Sequence, residues 1–153
     1  MTLRERISND LKTAMKSGDK TRLETLRTLR AFLMEREIEK RGPGGGMTEE
    51  DEVAVLHSAA KKRKESIEQF RLGGRPELAD QEEKELSIIQ EYLPKQMSAA
   101  EIETVIAGVI GTTGAVGAAD FGKVMPQVMK QVKGKADGRL VQDLVKKALG
   151  AAP

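Results

Sequence analysis

Residues 91–101, with the sequence EYLPKQMSAAE, contain the end of one helical segment and the start of another. Pro94 lacks a backbone N–H and its ring clashes with the preceding turn, so a helix is expected to end before it. Ser98 and Glu101 have the spacing of a capping box, in which each side chain accepts a hydrogen bond from the other residue's backbone N–H. Met97 is placed to pack against Ile102, one turn into the new helix. This stretch therefore predicts two helical parts, residues 1–95 and residues 96–150.

The composition predicts that both parts are entirely helical. Aromatic residues make up only 3% of the 153 residues, with no Trp and one Tyr, so the core must consist of Leu, Ile, Val, Met and Ala. Unbranched Leu, Lys, Glu and Arg lose little rotamer freedom in a helix, and no alternating strand pattern competes with the helical spacing. We expect an all-α fold with an N-terminal bundle of about four helices and a small C-terminal domain of three helices.

In the N-terminal part, the start and end signals of the four helices can be assigned to individual residues. Starts are indicated by N-cap residues or by a first-turn proline, at Thr2, Asp19, Thr48 and Pro76. Ends are indicated by glycine or proline, at Gly18, the stretch 42–46, Gly73 and Pro94. Apolar residues at helical spacing are expected to face the core, among them Leu26, Leu29, Leu33, Ile38, Leu56, Phe70 and Ile89.

The C-terminal part has signals for three further helices. The fifth helix is predicted to start after Ser98 and to end at Gly111, and the sixth to run from a cap at Asp120 to about Val132. Pro126 lies inside the sixth helix, where a proline predicts a kink or a displaced start. The last helix is predicted to start at Asp137 and to turn four residues inward, namely Leu140, Leu144, Val145 and Ala148.

Several classes of protein and site are disfavoured by the sequence. The absence of cysteine excludes disulfides, thiolate zinc sites and thiol nucleophiles. The N-terminal residues 1–16 alternate charged and apolar side chains too evenly for a signal peptide. The longest apolar run, residues 105–111, is far shorter than the roughly 20 residues that span a bilayer. We therefore expect a cytoplasmic protein without a membrane segment.

No arrangement of residues predicts a catalytic, metal or cofactor site. The stretch 117–124, GAADFGKV, matches a phosphate-binding P-loop except that Val124 stands where a hydroxyl must bind Mg²⁺, and the loop follows a helix instead of a strand. His57 is the single histidine, and a bundle metal site would need a glutamate three residues before it, where Ala54 stands. We predict no catalytic residue, no metal ligand and no cofactor.

Two groups of basic residues remain. The run 61–64, KKRK, points around most of a helix circumference and is interpreted as a solvated face. The second group flanks the turn between the last two helices, where residues 121–150 contain seven basic and two acidic residues, a net charge of +5. Helix N-termini at Phe121 and Gly138 would add backbone N–H groups for phosphates. On the residues alone, this second group is equally a phosphate-binding surface or a solvated lysine surface; its members are Lys123, Lys130, Lys133, Lys135 and Arg139.

Six segments in this chain resemble those of the GatB/YqeY family, in the same order. They cover almost the whole chain, and together they are more specific than any one of them. The segments are LRTLRAFLMEREIE at 26–39, KKRKESIEQF at 61–70, GRPELA at 74–79, EYLPKQMS at 91–98, GKVM at 122–125 and KGKADGR at 133–139. The chain is similar to the free-standing, YqeY-like members of that family.

The resemblance implies a role near tRNA. The family shares its helical domains with the C-terminal portion of the B subunit of the tRNA-dependent amidotransferase, which amidates mischarged glutamate or aspartate with glutamine as nitrogen donor. In that subunit the helical region helps to hold tRNA, while the chemistry takes place in domains that are missing here. The carbon–nitrogen ligase activity associated with the family therefore describes a complex. Pro126 departs from the family pattern, which usually has another residue there.

Two functions follow as expectations. The first is an accessory protein that binds tRNA or another structured RNA through Lys123, Lys130, Lys133, Lys135 and Arg139, with the amidotransferase or another protein as a possible partner. The second is a protein-interaction adapter without RNA binding, which the net charge of only +2 keeps open. An independent amidotransferase is not expected, because no nucleophile, base or metal cluster can be assembled from the sequence.

Overall fold

The computed structural model describes residues 1–150. Over this range it contains seven α-helices, one short 3-10 turn and no β-strand, which confirms the all-α prediction. The 3-10 turn, Ala118–Asp120, directly precedes the sixth helix. The helices are α1 (Leu3–Ser17), α2 (Lys20–Glu39), α3 (Glu49–Leu72), α4 (Pro76–Gln90), α5 (Ala99–Thr113), α6 (Phe121–Val132) and α7 (Gly138–Ala148).

The chain divides into two compact units, Met1–Leu93 and a second unit that begins at Pro94. Each unit has its own buried apolar cluster, so each has the core that a separate domain needs. In the first unit, α3 packs against α4 and α1 against α2, while α2 also contacts α3 and α4. The buried members of its core are Ile7, Leu11, Leu26, Leu29, Leu33, Leu56, Ala59, Ala60, Ile88, Ile89 and Tyr92.

The predicted starts of the first four helices are confirmed. The hydroxyl of Thr2 accepts a hydrogen bond from the backbone N–H of Glu5, whose carboxylate accepts one in return from the N–H of Thr2. The same reciprocal pair links Thr48 and Asp51 at the start of α3, and Pro76 occupies the first turn of α4. These local bonds satisfy N–H groups that the helix itself leaves unpaired, and they explain why sequence was sufficient to find them.

The core prediction for α2 was wrong at its C-terminal end. Leu26, Leu29 and Leu33 are buried as expected, but Ile38 is 59% exposed. In the helix, Ile38 lies on the side opposite these three leucines, because a 3.6-residue repeat turns it away from their stripe. Ile38 was assigned to the core because it is apolar, although its spacing from Leu33 does not place it on the same face of the helix.

The second unit contains α5, α6 and α7, which all contact one another. Its capping box is present: the hydroxyl of Ser98 accepts a hydrogen bond from the N–H of Glu101, and Asp137 caps α7 through the N–H of Arg139. The core contains one apolar stripe from each helix, with residues spaced mainly by three or four. The stripes are Ile102, Ile106 and Val109 of α5, Val124, Val128 and Val132 of α6, and Val141, Val145 and Leu149 at α7.

The predicted inward face of α7 was correct at Val145, which is buried, and at Leu144, which packs against the core, but wrong at Leu140 and Ala148. Two parallel stripes of this helix are apolar, one containing Leu140, Leu144 and Ala148 and the other containing Val141, Val145 and Leu149. The second stripe is buried, whereas Leu140 is 40% exposed and Ala148 is also exposed. Both stripes satisfy the helical repeat, so only packing against α5 and α6 selects between them.

The predicted end of α5 was also wrong, because Gly111 lies inside the helix. The helix continues to Thr113 and ends at Gly114, whose φ of 68° places it in the left-handed conformation of a C-cap. A glycine within a helix costs only about 1 kcal/mol relative to alanine, so it does not by itself end one. Pro126 neither displaces the start of α6 nor interrupts the helix, which is assigned continuously from Phe121 to Val132.

This difference between two glycines can be tested by alanine substitution. No atom lies within 4 Å of a Cβ placed at Gly111 or Gly114, so neither alanine clashes with a neighbour. Gly111→Ala should raise the free energy of unfolding of the second unit by about 0.5–1 kcal/mol, because alanine is the better helix former. Gly114→Ala should lower it by about 1–2 kcal/mol, since the left-handed conformation is strained for alanine. Urea denaturation followed by circular dichroism measures both changes; equal effects at the two sites would contradict the assigned helix end.

Candidate nucleic-acid interface

The candidate RNA-binding residues begin on the solvent side of α6. Val124, Val128 and Val132 turn one face of this helix into the core, and all three are fully buried. Lys123 and Lys130 are exposed on the opposite face. They are two turns apart, which corresponds to about 10 Å along the helix axis. The burial of the valine stripe thus fixes the direction in which these two lysines project.

The remaining three candidates lie at the C-terminal end of α6 and the start of α7. The backbone of Lys135 is held at both its polar atoms: its N–H donates to Val132 O at 2.9 Å, and its carbonyl accepts from Met97 N at 2.7 Å. Arg139 stands in the first turn of α7, and its side chain is exposed, as are those of Lys133 and Lys135. The structure thus gathers four of the five candidates at one end of α6, with Lys123 at the other end.

Lys123 has an acidic neighbour. Its Nζ lies 3.9 Å from Asp120 Oδ1, and the lysine side chain is 72% exposed, so the attraction is weak. The other carboxylate oxygen of Asp120 accepts a hydrogen bond from Val116 N at 2.9 Å. This bond, followed by the charge of Lys123, lowers the pKa of Asp120 below its usual value. Asp120 was predicted to cap α6, but its side chain makes no capping bond to that helix and instead stabilises the preceding turn.

The N-terminus of α7 is occupied by an acidic side chain, and an acidic residue directly precedes that of α6. At α7, Asp137 Oδ1 accepts a hydrogen bond from Arg139 N at 3.1 Å. At α6, Asp120 directly precedes the first helical residue. A carboxylate at a helix start neutralises the partial positive charge that would attract a phosphate. The lysine and arginine side chains, and not the helix termini, therefore form the candidate interface.

Two further lysines extend the basic character toward the end of α7. Lys146 Nζ lies 5.9 Å from the ring centroid of Phe121, close enough for a cation–π contact between α7 and the start of α6. Lys147 is exposed beside it. Lys146 and Lys147 are two of the seven basic residues counted in residues 121–150. The sequence did not show where they lie; the packing of α7 against α6 places Lys146 near the start of α6, the end that carries Lys123.

The basic run 61–64 does not form a comparable surface. Lys62 Nζ lies 5.2 Å from the ring of Phe32, while Arg63 is half-buried and its Nε lies 3.1 Å from Glu85 Oε2. Lys61 and Lys64 are exposed. Consecutive helical residues point in different directions, and two of these four are engaged by neighbours within the first unit.

The stretch resembling a P-loop is packed in a way that does not form a phosphate cradle. Val124, at the position that should offer a hydroxyl, is fully buried in the core of the second unit. Asp120 contributes a carboxylate to the turn where a phosphate would have to bind. Across residues 1–150, no group of three or more His, Cys, Asp or Glu side chains is placed to hold a metal ion.

No single helix in the described part of the chain is long and apolar enough to cross a membrane. The segments Ala99–Thr113 and Ala118–Val132 reach that length and composition only as a pair bent by 93°. Their valine and isoleucine stripes are buried in the core of the second unit.

Comparison with known proteins finds relatives in fungi. An uncharacterised protein of Schizosaccharomyces pombe is 36% identical over 92 residues, which cover 60% of this chain and 72% of that protein. A Pyrenophora tritici-repentis protein named altered inheritance of mitochondria protein 41, mitochondrial, is 27% identical over 150 residues, which cover 95% of this chain and 80% of the relative. The Lachancea thermotolerans protein of the same name is 37% identical over 101 residues, or 63% of this chain and 51% of the relative. The names of the last two are mitochondrial, so the cytoplasmic location of this chain stays a prediction.

The family profile described as Yqey-like protein matches residues 4–149. The match includes all seven helices but the first residue of α1, and it includes every residue of the candidate interface. The resemblance inferred from the six sequence segments is thereby confirmed for the free-standing branch of that family. The chain belongs to the Yqey-like protein family.

Proposed function

We propose that this chain is a non-catalytic accessory protein whose C-terminal unit binds the backbone phosphates of tRNA or another structured RNA. The observation that carries the proposal is the charge of residues 121–150, with seven basic and two acidic side chains. Of those two acids, Asp137 is engaged in capping α7. Six of the seven basic side chains are exposed, so the positive charge is available to a polyanion.

Phosphate contact is favoured over base recognition because the second unit has almost no aromatic surface. Phe121 is its one aromatic residue in the sequence, and it is half-buried beside Lys146. Proteins that bind single-stranded RNA stack bases on exposed aromatic rings, whereas folded RNA can be bound through its phosphates and shape. The proposed ligand is therefore a folded RNA whose backbone presents several phosphates at once.

The proposed link to the tRNA-dependent amidotransferase depends on the sequence resemblance to its B subunit. In this proposal the chain contributes RNA binding, and any amidation takes place on a partner that carries the catalytic domains. A cytoplasmic location is proposed with it; a mitochondrial one is the alternative that the names of the fungal relatives suggest.

Titration of the purified chain with tRNA at increasing salt tests the proposal. Neutralised phosphates release condensed counterions, so the logarithm of the binding constant should fall linearly with the logarithm of salt, with a slope of about −0.9 per contact. For three to five contacts, affinity should fall by about 40- to 500-fold between roughly 50 and 200 mM salt. Fluorescence anisotropy of labelled tRNA gives these constants; no binding at the lowest salt, or a slope near zero, would contradict phosphate binding.

The adapter alternative is separated by purification of the tagged chain with and without nuclease. RNA that copurifies and is removed by nuclease supports the proposed function. A protein partner that copurifies equally after nuclease, with no RNA recovered, would favour the adapter.

A further inference from the structure

A tight turn follows α6 and carries two of the candidate lysines. Lys133 has a φ of −53° and a ψ of 127°, and Gly134 has a φ of 79°. Together with the hydrogen bond from Lys135 N to Val132 O at 2.9 Å, these angles describe a type II β-turn, whose third residue has a positive φ and is usually glycine. We call residues 132–135 the lysine turn.

The segment at the start of the second unit is hydrogen-bonded to the lysine turn. Met97 N donates a hydrogen bond to Lys135 O at 2.7 Å, and Gln96 Nε2 donates one to Gly134 O at 3.2 Å. The same Nε2 atom donates to Pro94 O at 2.6 Å, so both protons of the carboxamide nitrogen are used. The side chain of Gln96 therefore connects the backbone of its own segment to the backbone of the turn.

The partners of Gln96 define the chemistry that position 96 needs. Both partners are backbone carbonyls, which only accept, so the side chain must donate two hydrogen bonds. A glutamate of the same shape is an acceptor when ionised, and its negative charge would weaken the attraction of the neighbouring lysines for phosphate. A carboxamide donates twice without a charge, so it fixes the turn and leaves the positive charge of Lys133 and Lys135 undiminished.

A backbone that is ordered before binding favours the proposed contact with RNA. Groups that become ordered only on binding cost conformational entropy, and this cost is subtracted from the affinity. From the bonds to the lysine turn we infer that Gln96 is a positioning residue of the candidate interface, which affects RNA binding by fixing the backbone from which Lys133 and Lys135 project. This inference rests on the proposed function, because it assigns to Gln96 a role in the same phosphate-binding surface.

Replacement of Gln96 by methionine tests the inference, because methionine has a similar length, no charge and no donor. Gln96 is exposed and water competes for its bonds, so the loss of the bond to the turn should weaken tRNA binding by about two- to tenfold at matched salt. Gln81→Met, the same substitution at an exposed position of α4, is the matched control and should leave the affinity unchanged. Equal affinities of Gln96→Met and the wild type would overturn the inference.

A double-mutant cycle separates positioning from a general loss of stability. In a background with Lys133→Ala and Lys135→Ala, Gln96→Met should have no further effect on affinity, because the side chains that it positions are gone. In a background with Lys123→Ala, at the other end of α6, Gln96→Met should weaken binding by the same factor as in the wild type. Equal losses in both backgrounds would mean that Gln96 only stabilises the second unit, and would overturn the inference.

Amide hydrogen exchange of the free chain tests the hold of Gln96 on the turn without RNA. The N–H of Lys135 should exchange about two- to tenfold faster in Gln96→Met than in the wild type, whereas the N–H of Ile106, inside α5, should keep its rate. Unchanged exchange at Lys135 would overturn the inference even if the wild type binds tRNA. A wild type that binds no tRNA, with faster exchange at Lys135 in the variant, would contradict the proposed function and still support the hold of Gln96 on the turn.

Discussion

Simultaneous reversal of three charges, by Lys130→Glu, Lys135→Glu and Arg139→Glu, is expected to weaken tRNA binding by about 100-fold at low salt. Each cation near a phosphate contributes about 1 kcal/mol in water, and about 1.4 kcal/mol corresponds to a tenfold change in affinity. Loss of three contacts should also reduce the salt dependence of binding by about three in the logarithmic slope. Fluorescence anisotropy titrations of the variant and the wild type, at matched salt, measure both effects.

The first unit supplies a matched control for this experiment. Lys12, Lys16 and Lys20 are exposed, and their change to glutamate alters the net charge by the same amount. The control should retain most of the wild-type affinity, because it leaves the second unit unchanged. Equal losses in the two variants would show that only the overall charge matters, and no loss in either would contradict the candidate interface. The three positions in the second unit are exposed, and a glutamate at position 139 suits the first turn of α7, so folding should be preserved.

Helix starts were predictable because their signals are local. The capping boxes predicted at Thr2 and Ser98 involve residues three positions apart, and each forms the expected bonds. The start predicted at Thr48 is also correct, and there Asp51 completes a capping box that the sequence reasoning had not named. These bonds depend little on what the helix later packs against. The predicted division into two helical parts had the same origin, in Pro94 followed by a capping box.

Positions that depend on packing were predicted less well. The inward face of α7 was predicted correctly at Val145 but wrongly at Leu140 and Ala148, since two apolar stripes fit the same repeat and only the neighbouring helices select the one with Val141. Gly111 was taken as a helix end because glycine often has that role, but the left-handed backbone that ends α5 is at Gly114. In both places several local patterns were acceptable, and tertiary contacts decided between them.

Contacts between distant residues could not be predicted from the pattern at all. Tyr92 is buried, and its hydroxyl donates a hydrogen bond to Asp10 Oδ2 at 2.5 Å, across 82 residues of sequence. Burial, with this bond to a carboxylate, raises the pKa of Tyr92 well above its usual value. Arg22 pairs in a similar way with Glu91 at 2.6 Å. Nothing in the local sequence distinguishes these residues from ordinary surface side chains.

The candidate interface could be predicted in part from the sequence. The five basic residues were found from charge alone, and the structure shows that each of them is exposed. The sequence did not show that four of them group at one end of α6 while Lys123 lies at the other. That arrangement follows from the rotation of α6 about its axis, which the buried valine stripe sets. The acidic residues at both helix starts, Asp120 and Asp137, were assigned as caps, but their effect on phosphate binding at those termini was not anticipated.

The core of the first unit depends strongly on Leu56, and Leu56→Ala should lower its free energy of unfolding by about 2–5 kcal/mol. This leucine is 0% exposed and belongs to the apolar cluster that α1, α2, α3 and α4 share. Its replacement removes buried methyl groups and leaves a cavity, which the surrounding helices fill only in part. A loss of about 3 kcal/mol corresponds to a decrease in melting temperature of roughly 12–24 °C for a unit of this size. Thermal unfolding followed by circular dichroism measures the change.

Leu72→Ala is the matched control, because it makes the same substitution at the other end of the same helix. Leu72 is 77% exposed, so its truncation should change the free energy of unfolding by no more than about 0.5 kcal/mol. Both variants change leucine to alanine in α3, so the effect of helix propensity is similar in the two. The difference between their free energies of unfolding therefore measures the contribution of burial at Leu56. Equal melting temperatures for the two variants would mean that Leu56 is not in the core of the first unit, and the packing of α3 against its neighbours would have to be revised.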